Sequence, residues 1–341
     1  MNFLDKILQQ TSVSVVGMVK NAGKTETFNY ILSSLKTLDK RIAVTSVGLD
    51  GEQTDQIYGT QKPEITIYEG MLFVTVEKFF AQKTFEARIV HSGDNSGILG
   101  KLITAEALTS GKVILSGAAD TQTLKQIIAR NREFGADMTL IDGATSRLSP
   151  ASPAVTDAMI LSTGAALSPD IETIANKTKF VVALISLPLA SNSLRDILLT
   201  IEKGLFCVDE NMQLVDLKIE SALLFDNFLN DNILSVIKKT DTMFVGGAAN
   251  DRLLTFLTVN VLNKKTSYSL VVSDFTKLFI SPQVYNVFTK KGGKIFVLNR
   301  TNLIAITVNP TSPEGFTVNS AKLQAALREK IDVPVFNVRE I

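Results

Sequence analysis

Tryptophan is absent from this sequence, and cysteine and histidine occur once each, as Cys207 and His91. A single cysteine cannot close an internal disulfide, which points to a reducing cytosol. One cysteine and one histidine cannot build a Cys/His metal cluster either. Catalysis, if there is any, has to rest on carboxylates, lysines, hydroxyls, backbone amides and a hard metal ion. An excess of charge is also missing: 35 Lys and Arg face 34 Asp and Glu, for a net charge of +1. That balance argues against a broad nucleic-acid surface or a polybasic membrane patch. No apolar run approaches the ~18 residues that span a bilayer. The opening MNFLDKILQQ is a short amphipathic stretch without the basic start and unbroken apolar core of a signal peptide. The expectation is a soluble cytoplasmic protein with neither membrane nor nucleic acid as partner.

What is present is apolar residue in quantity, 45% of 341 residues, enough for a large core and about two domains. Short apolar runs alternate with helix-like stretches. SVSVVG (12–17), RIAVTSVG, FEARIVHSG, KVILSGAAD, ADMTLIDGA, DAMILSTGA and KFVVALISLP read as strands, and KPEITIYEGMLFVTVEKF as one or two more around Glu69-Gly70. Between them, Phe28, Ile31, Leu32 and Leu35 have helical spacing, as does TQTLKQIIARNREFG. Repetition of strand, helix and strand predicts an α/β fold with a mostly parallel sheet. Runs such as VVALI are apolar at consecutive positions, as in strands covered on both faces. The second half repeats the style, with TMFVGG before a helix and KKGGK before a strand. The expected division is a first α/β domain over 1–195 and a second over 196–341, the two halves sharing one sheet or forming two.

The chemistry concentrates at VVGMVKNAGKTETFNY (15–30). A phosphate-binding loop needs glycine for tight backbone approach, a helix N-terminus to face the anion, a lysine for the β/γ-phosphates and a Ser/Thr hydroxyl for Mg²⁺. Gly17, Lys20, Asn21, Ala22, Gly23, Lys24, Thr25 and Glu26 are the candidate nucleotide-binding residues, with Lys24 also catalytic. The usual spacing puts the first glycine at position 18, where this chain has Met18; here it stands at Gly17, the end of the strand. Lys20 either touches phosphate or faces solvent, and the sequence leaves both open. A magnesium nucleotide also needs a carboxylate near the metal, usually at the end of a neighbouring strand. Asp142, ending MTLID before Gly143, fits that role beside Thr25. Asp50, with Glu52 behind it, follows another strand. It is the candidate for ordering the attacking water or holding the metal, the alternative being a solvated turn. The nearest strings to a guanine-reading Asn-Lys-x-Asp, at Asn176 and Asn263, lack the aspartate. That favours ATP over GTP without deciding it.

The glycine spacing resembles the branch of phosphate-loop NTPases that includes dethiobiotin synthetase and the MinD-like and metallochaperone-type proteins. The MinD-like signature lysine stands five residues before the invariant one, whereas Lys20 stands four before Lys24. In that branch, acidic residues after an early strand help hold Mg²⁺ or position water, which is the role carried to Asp50. GMVKNAGKT, VGLDGE, LIDGATSRLSPASP, ILSTGAALS, VVSDFTKLFISP, KKGGKIFVLN and AITVNPTSPEGF together resemble the phosphate-loop subunits associated with reactivation of lysine 5,6-aminomutase, over nearly the whole chain. The resemblance implies an adenosylcobalamin-dependent aminomutase and a MutS-like ATPase as partners, and nucleotide-driven release of damaged cobalamin as the task. Two further readings stand beside it: an ATP-dependent ligase or small-molecule kinase of dethiobiotin-synthetase type, and a scaffold that binds partners without hydrolysis.

Other segments carry weaker signals. The Ser/Pro-rich stretch 142–153 could be a switch or partner loop, with Arg147 reaching phosphate or simply facing solvent. VGGAAND (245–251) lacks a lysine where one is needed and reads as a packing turn. NPTSPEGF (309–316) reads as a rigid loop suited to a partner contact. His91 reads as structural.

Overall fold

The structure is a computed structural model that describes residues 2–47, 65–97, 100–117, 120–143, 155–225 and 229–341. The chain divides into two compact units: Met1–Lys179 together with Asn302–Ile341, and Phe180–Thr301.

In the first stretch of unit 1 the strands are β1 (Ser12–Gly17), β2 (Ile42–Ser46), β3 (Ile65–Ile67), β4 (Leu72–Val76), β5 (Ala87–Gly97), β6 (Gly100–Ala107), β7 (Gly111–Val113), β8 (Met138–Asp142) and β9 (Ala158–Gly164). The helices are α1 (Phe3–Leu8), α2 (Lys24–Leu35), α3 (Glu77–Gln82), α4 (Thr121–Glu133) and α5 (Ile171–Ile185). Unit 2 holds β10 (Leu205–Val208), β11 (Leu214–Asp216), β12 (Thr242–Val245), β13 (Ala249–Asn250), β14 (Tyr268–Val272), β15 (Leu278–Phe279) and β16 (Gly293–Val297). Its helices are α6 (Asn192–Leu198), α7 (Asp231–Lys239), α8 (Asp251–Asn260) and α9 (Pro282–Lys290), after which β17 (Leu303–Asn309), α10 (Ser320–Lys330) and β18 (Val335–Phe336) return to unit 1.

The large sheet of unit 1 has nine strands in the order β18-β17-β9-β1-β8-β2-β4-β6-β5. The first seven run parallel; β6 pairs antiparallel with both β4 and β5. The fold is therefore α/β with a mostly parallel sheet, as the alternating runs predict. Every residue of β1, β2 and β4 is buried, the signature of strands covered on both faces. α2 buries Thr27, Phe28, Ile31, Leu32 and Leu35, one stripe of the helix. Phe28 and Ile31 join Val13, Val15, Val44, Phe73 and Leu140 in the main core. Strand β1 leads through α2 to β2 on one side, while β9 leads through α5 and unit 2 to β17 on the other. The direction of travel thus reverses between β1 and β9. In open α/β sheets the crevice at the carboxyl ends of such a pair is where ligands bind.

Unit 2 has its own five-stranded sheet, β11-β10-β12-β14-β16. β12, β14 and β16 are parallel, and β10 runs antiparallel to β11 and β12. Leu198, Phe244, Val271 and Leu298 form its core. Among the described residues no helix is long and apolar enough to cross a membrane.

Two expectations are corrected and one strand is added. KFVVALISLP is not a strand: VVALI is the end of α5. Burial at Ile174, Ala175, Thr178, Val182 and Ile185 follows helical spacing, which the local run of aliphatic residues hides. The strand β6 went unread because GKLITAEA mixes charge and small residues along a half-covered strand. The chain from 302 onward does not belong with 196–301. Leu303–Asn309 pairs with β9, and Val335–Phe336 with β17, so the second unit is inserted into the first rather than following it at 195/196. The two units form separate sheets, and the second half contributes β17 and β18 to the first.

Candidate functional site

β1 ends at Gly17, and the loop Met18–Gly23 carries the chain to α2. The backbone pairs to the very end: Met18 N donates to Ser162 O at 2.9 Å. Inside the loop, Ala22 N donates to Val19 O at 3.3 Å, and Ala22 is buried. Two residues take left-handed backbone angles, Asn21 at φ 63° and Gly23 at φ 92°. Asparagine tolerates that region and glycine enters it freely. Gly23 has a second constraint: a Cβ there would lie 2.7 Å from Asn309 Cβ. As the N-cap of α2, Gly23 supplies no side-chain hydrogen bond to the first turn.

Lys24 opens that helix and reaches across to β8. Its Nζ lies 2.7 Å from Asp142 Oδ1 and donates to the Gly143 carbonyl. Both side chains are largely shielded, with relative exposures of 15% and 17%. Asp142 Oδ1 is sealed from solvent, and the Lys24 ammonium is its close contact. A buried carboxylate oxygen held only by proximity to a cation is a hard donor suited to a second cation. Gly143 allows the approach: a Cβ there would come within 2.9 Å of Val15 O. β8 and β1 are register neighbours, Val15 opposite Asp142, so the lysine and the aspartate meet through sheet pairing.

Contacts from β9 and β17 brace the loop from the other side. Thr27 Oγ1 donates to Thr307 Oγ1 at 2.8 Å, and Thr307 is hydrogen-bonded to Ser162 Oγ at 2.9 Å, all three residues buried. Asn309 Nδ2 donates to Asn21 O at 3.1 Å while its Oδ1 accepts from Thr311 N at 3.1 Å. A Cβ on Gly164 would lie 2.0 Å from Asn309 O, so the end of β9 needs glycine for space. Sequence reasoning missed Thr307, and read Ser162 only as part of a small-residue turn and Asn309 only as the start of a partner-contact loop. The available signal was an asparagine ending an apolar strand, but the strand had been assigned to the other domain.

Next along α2, Thr25 and Glu26 line a cleft of about 550 Å³ shared with Tyr30 and Arg339. Arg339 grips Glu26 with two prongs, Nε to Oε1 and Nη2 to Oε2, the latter at 2.8 Å. The carboxylate raises the guanidinium pKa. Of the expected site residues, Gly17, Lys20, Asn21, Ala22, Gly23, Lys24, Thr25, Glu26 and Asp142 thus lie on the β1–α2 junction or the strand beside it. Asp50, Glu52 and Arg147 lie outside the described residues. His91 packs its ring 6.1 Å from Phe134, far in role from the loop. Cys207 is buried, and burial pushes its thiol pKa up.

No protein-family model matches this chain, and no curated protein or solved structure gives a significant match. The chemistry of the site therefore carries the argument. No group of three or more metal-binding side chains occurs among the described residues. The arrangement fits magnesium nonetheless, since that ion is usually bound by one or two carboxylates together with substrate phosphates and water. The residues that would hold it are Thr25, through its hydroxyl, and Asp142. An uncapped helix start, a lysine and a shielded carboxylate at the carboxyl ends of two neighbouring parallel strands can bind a polyphosphate.

Proposed function

We propose that this chain is a phosphate-loop NTPase that binds ATP or GTP with Mg²⁺ on Gly17–Glu26. The observation that carries the proposal is the convergence of Lys24 and Asp142, 2.7 Å apart, where α2 leaves β1 beside the carboxyl end of β8. Backbone amides from Val19 to Thr25 cradle the phosphates, and the α2 N-terminus adds its dipole. Lys24 exchanges Asp142 for the phosphate oxygens, which frees the carboxylate. Mg²⁺, held by Thr25 and Asp142, would neutralise charge on the phosphates. Asp50 follows β2, whose last residue, Ser46, is the register partner of Asp142, and that placement in the chain supports its role in ordering water or metal.

In this proposal unit 1 is the NTPase domain, working in the cytoplasm, and unit 2 is an α/β domain that serves a partner. The partner is suggested by sequence resemblance alone: an adenosylcobalamin-dependent lysine 5,6-aminomutase, reactivated together with a MutS-like ATPase. A nucleotide drives such a cycle only through unequal affinity for the partner's open and closed states.

Calorimetric titration of MgATP and MgGTP into wild type and Lys24→Ala tests the nucleotide site. Loss of a charge-assisted contact predicts about a hundredfold weaker binding in the variant. Equal, weak binding by both proteins would sink the proposal. The partner assignment has its own test: recovery of an inactivated aminomutase with and without this chain and MgATP, where no difference removes it.

A further inference from the structure

The cleft beside Thr25 starts where the phosphate loop ends. It follows one stripe of α2, because Glu26, Asn29, Tyr30 and Ser33 are spaced three, four and seven residues apart and so share a face. The opposite stripe, Thr27, Phe28, Ile31, Leu32 and Leu35, is buried in the sheet. Seven residues of helix rise about 10 Å, enough for a base and a ribose laid end to end. The far wall is Tyr68 and the carboxyl-terminal Arg339. The cleft, about 550 Å³, is open to solvent along its length.

The chemistry of the walls narrows the ligand. Glu26 and Arg339 neutralise each other, so the cleft offers no net charge to a free anion or cation. What remains is two phenol rings, a carboxamide, two hydroxyls, a valine side chain and the flat face of a guanidinium. The carboxamide is fixed in place, Asn29 Oδ1 accepting from Thr66 N at 3.4 Å, and Ser33 Oγ donates to Tyr30 O at 2.9 Å. Lys36 Nζ sits 4.8 Å from the Tyr68 ring centroid and steadies that ring. Flat aromatic and guanidinium surfaces with neutral polar groups suit a planar, uncharged, hydrogen-bonding moiety.

We propose that this cleft is the nucleoside subsite: it takes the base and ribose of the nucleotide whose phosphates lie on the loop. The inference rests on the phosphate-loop proposal above. Charge is divided between the two parts of the site, the triphosphate going to Lys24 and the neutral nucleoside to the Tyr30–Arg339 cleft.

The test compares MgATP and MgGTP with magnesium tripolyphosphate, which has the phosphates and no nucleoside. Wild type, Ser33→Trp and Arg339→Ala are titrated with all three. Ser33→Trp fills the cleft from a half-exposed position; Arg339→Ala removes an exposed wall, and its folding is not in question. Loss of base stacking is worth about tenfold in affinity. Both variants should therefore bind the preferred nucleotide about tenfold more weakly, and Ser33→Trp should change tripolyphosphate affinity by less than about twofold. Variants that bind nucleotide as wild type does, while tripolyphosphate binding still depends on Lys24, overturn the subsite and leave the phosphate loop standing. Wild type that binds neither nucleotide nor tripolyphosphate overturns both.

Discussion

Two helices in this molecule come after a strand and a glycine-bearing turn, and they begin in opposite ways. α2 starts at Gly23, left-handed and without a side-chain cap. α8 starts at Asn250, whose side chain accepts from Leu253 N at 3.0 Å, and Asp251 Oδ1 accepts from Ser281 N at 2.7 Å. The second helix meets its own needs from within the chain. The first has a lysine and a carboxylate beside it and glycines that keep the backbone bare. Strand-glycine-helix is therefore only a scaffold. The anion site lies where the helix start is left for something else to satisfy.

The contrast can be broken at several points. The largest effect belongs to Lys24→Ala, the titration described above, because unit 2 has no lysine in the corresponding place. Gly23→Ala comes next. At φ 92° and 2.7 Å from Asn309 Cβ, an added methyl group is strained twice. It should destabilise the protein by about 2 kcal/mol in denaturant titrations and weaken nucleotide binding with it. Asn250→Ala removes the cap of α8 and should cost about 1 kcal/mol of stability with nucleotide affinity unchanged. A change in affinity there would mean that the two helix starts are not independent. Gly247→Ala is the smallest: nothing lies within 4 Å of the added atom, and the melting curve should move by less than about 0.5 kcal/mol equivalent.

The central strands and the lysine loop were legible because they are local. SVSVVG and MTLID are apolar at consecutive positions, and Gly23, Lys24 and Thr25 are adjacent in sequence. Asp142 was legible as a strand-ending aspartate, although its meeting with Lys24 needed the pairing of β1 and β8. What was hidden is non-local. Thr307 and Asn309 act on the loop from almost three hundred residues away in the chain. Arg339 meets Glu26 because β18 returns to the first sheet. The aliphatic run in α5 misled because its neighbours, rather than its own composition, decide between strand and helix.

The inserted position of unit 2 has a consequence for the order of synthesis. Gly17 through Thr25 leave the ribosome early, and the two strands that flank β1 follow soon after. The segment that braces the loop, Asn302–Ile341, is made after the whole of unit 2. A nascent chain that stops before Asn302 holds the complete phosphate-loop motif without Thr307, Asn309 or Arg339 against it. The braces of the site thus arrive only after unit 2 has been made.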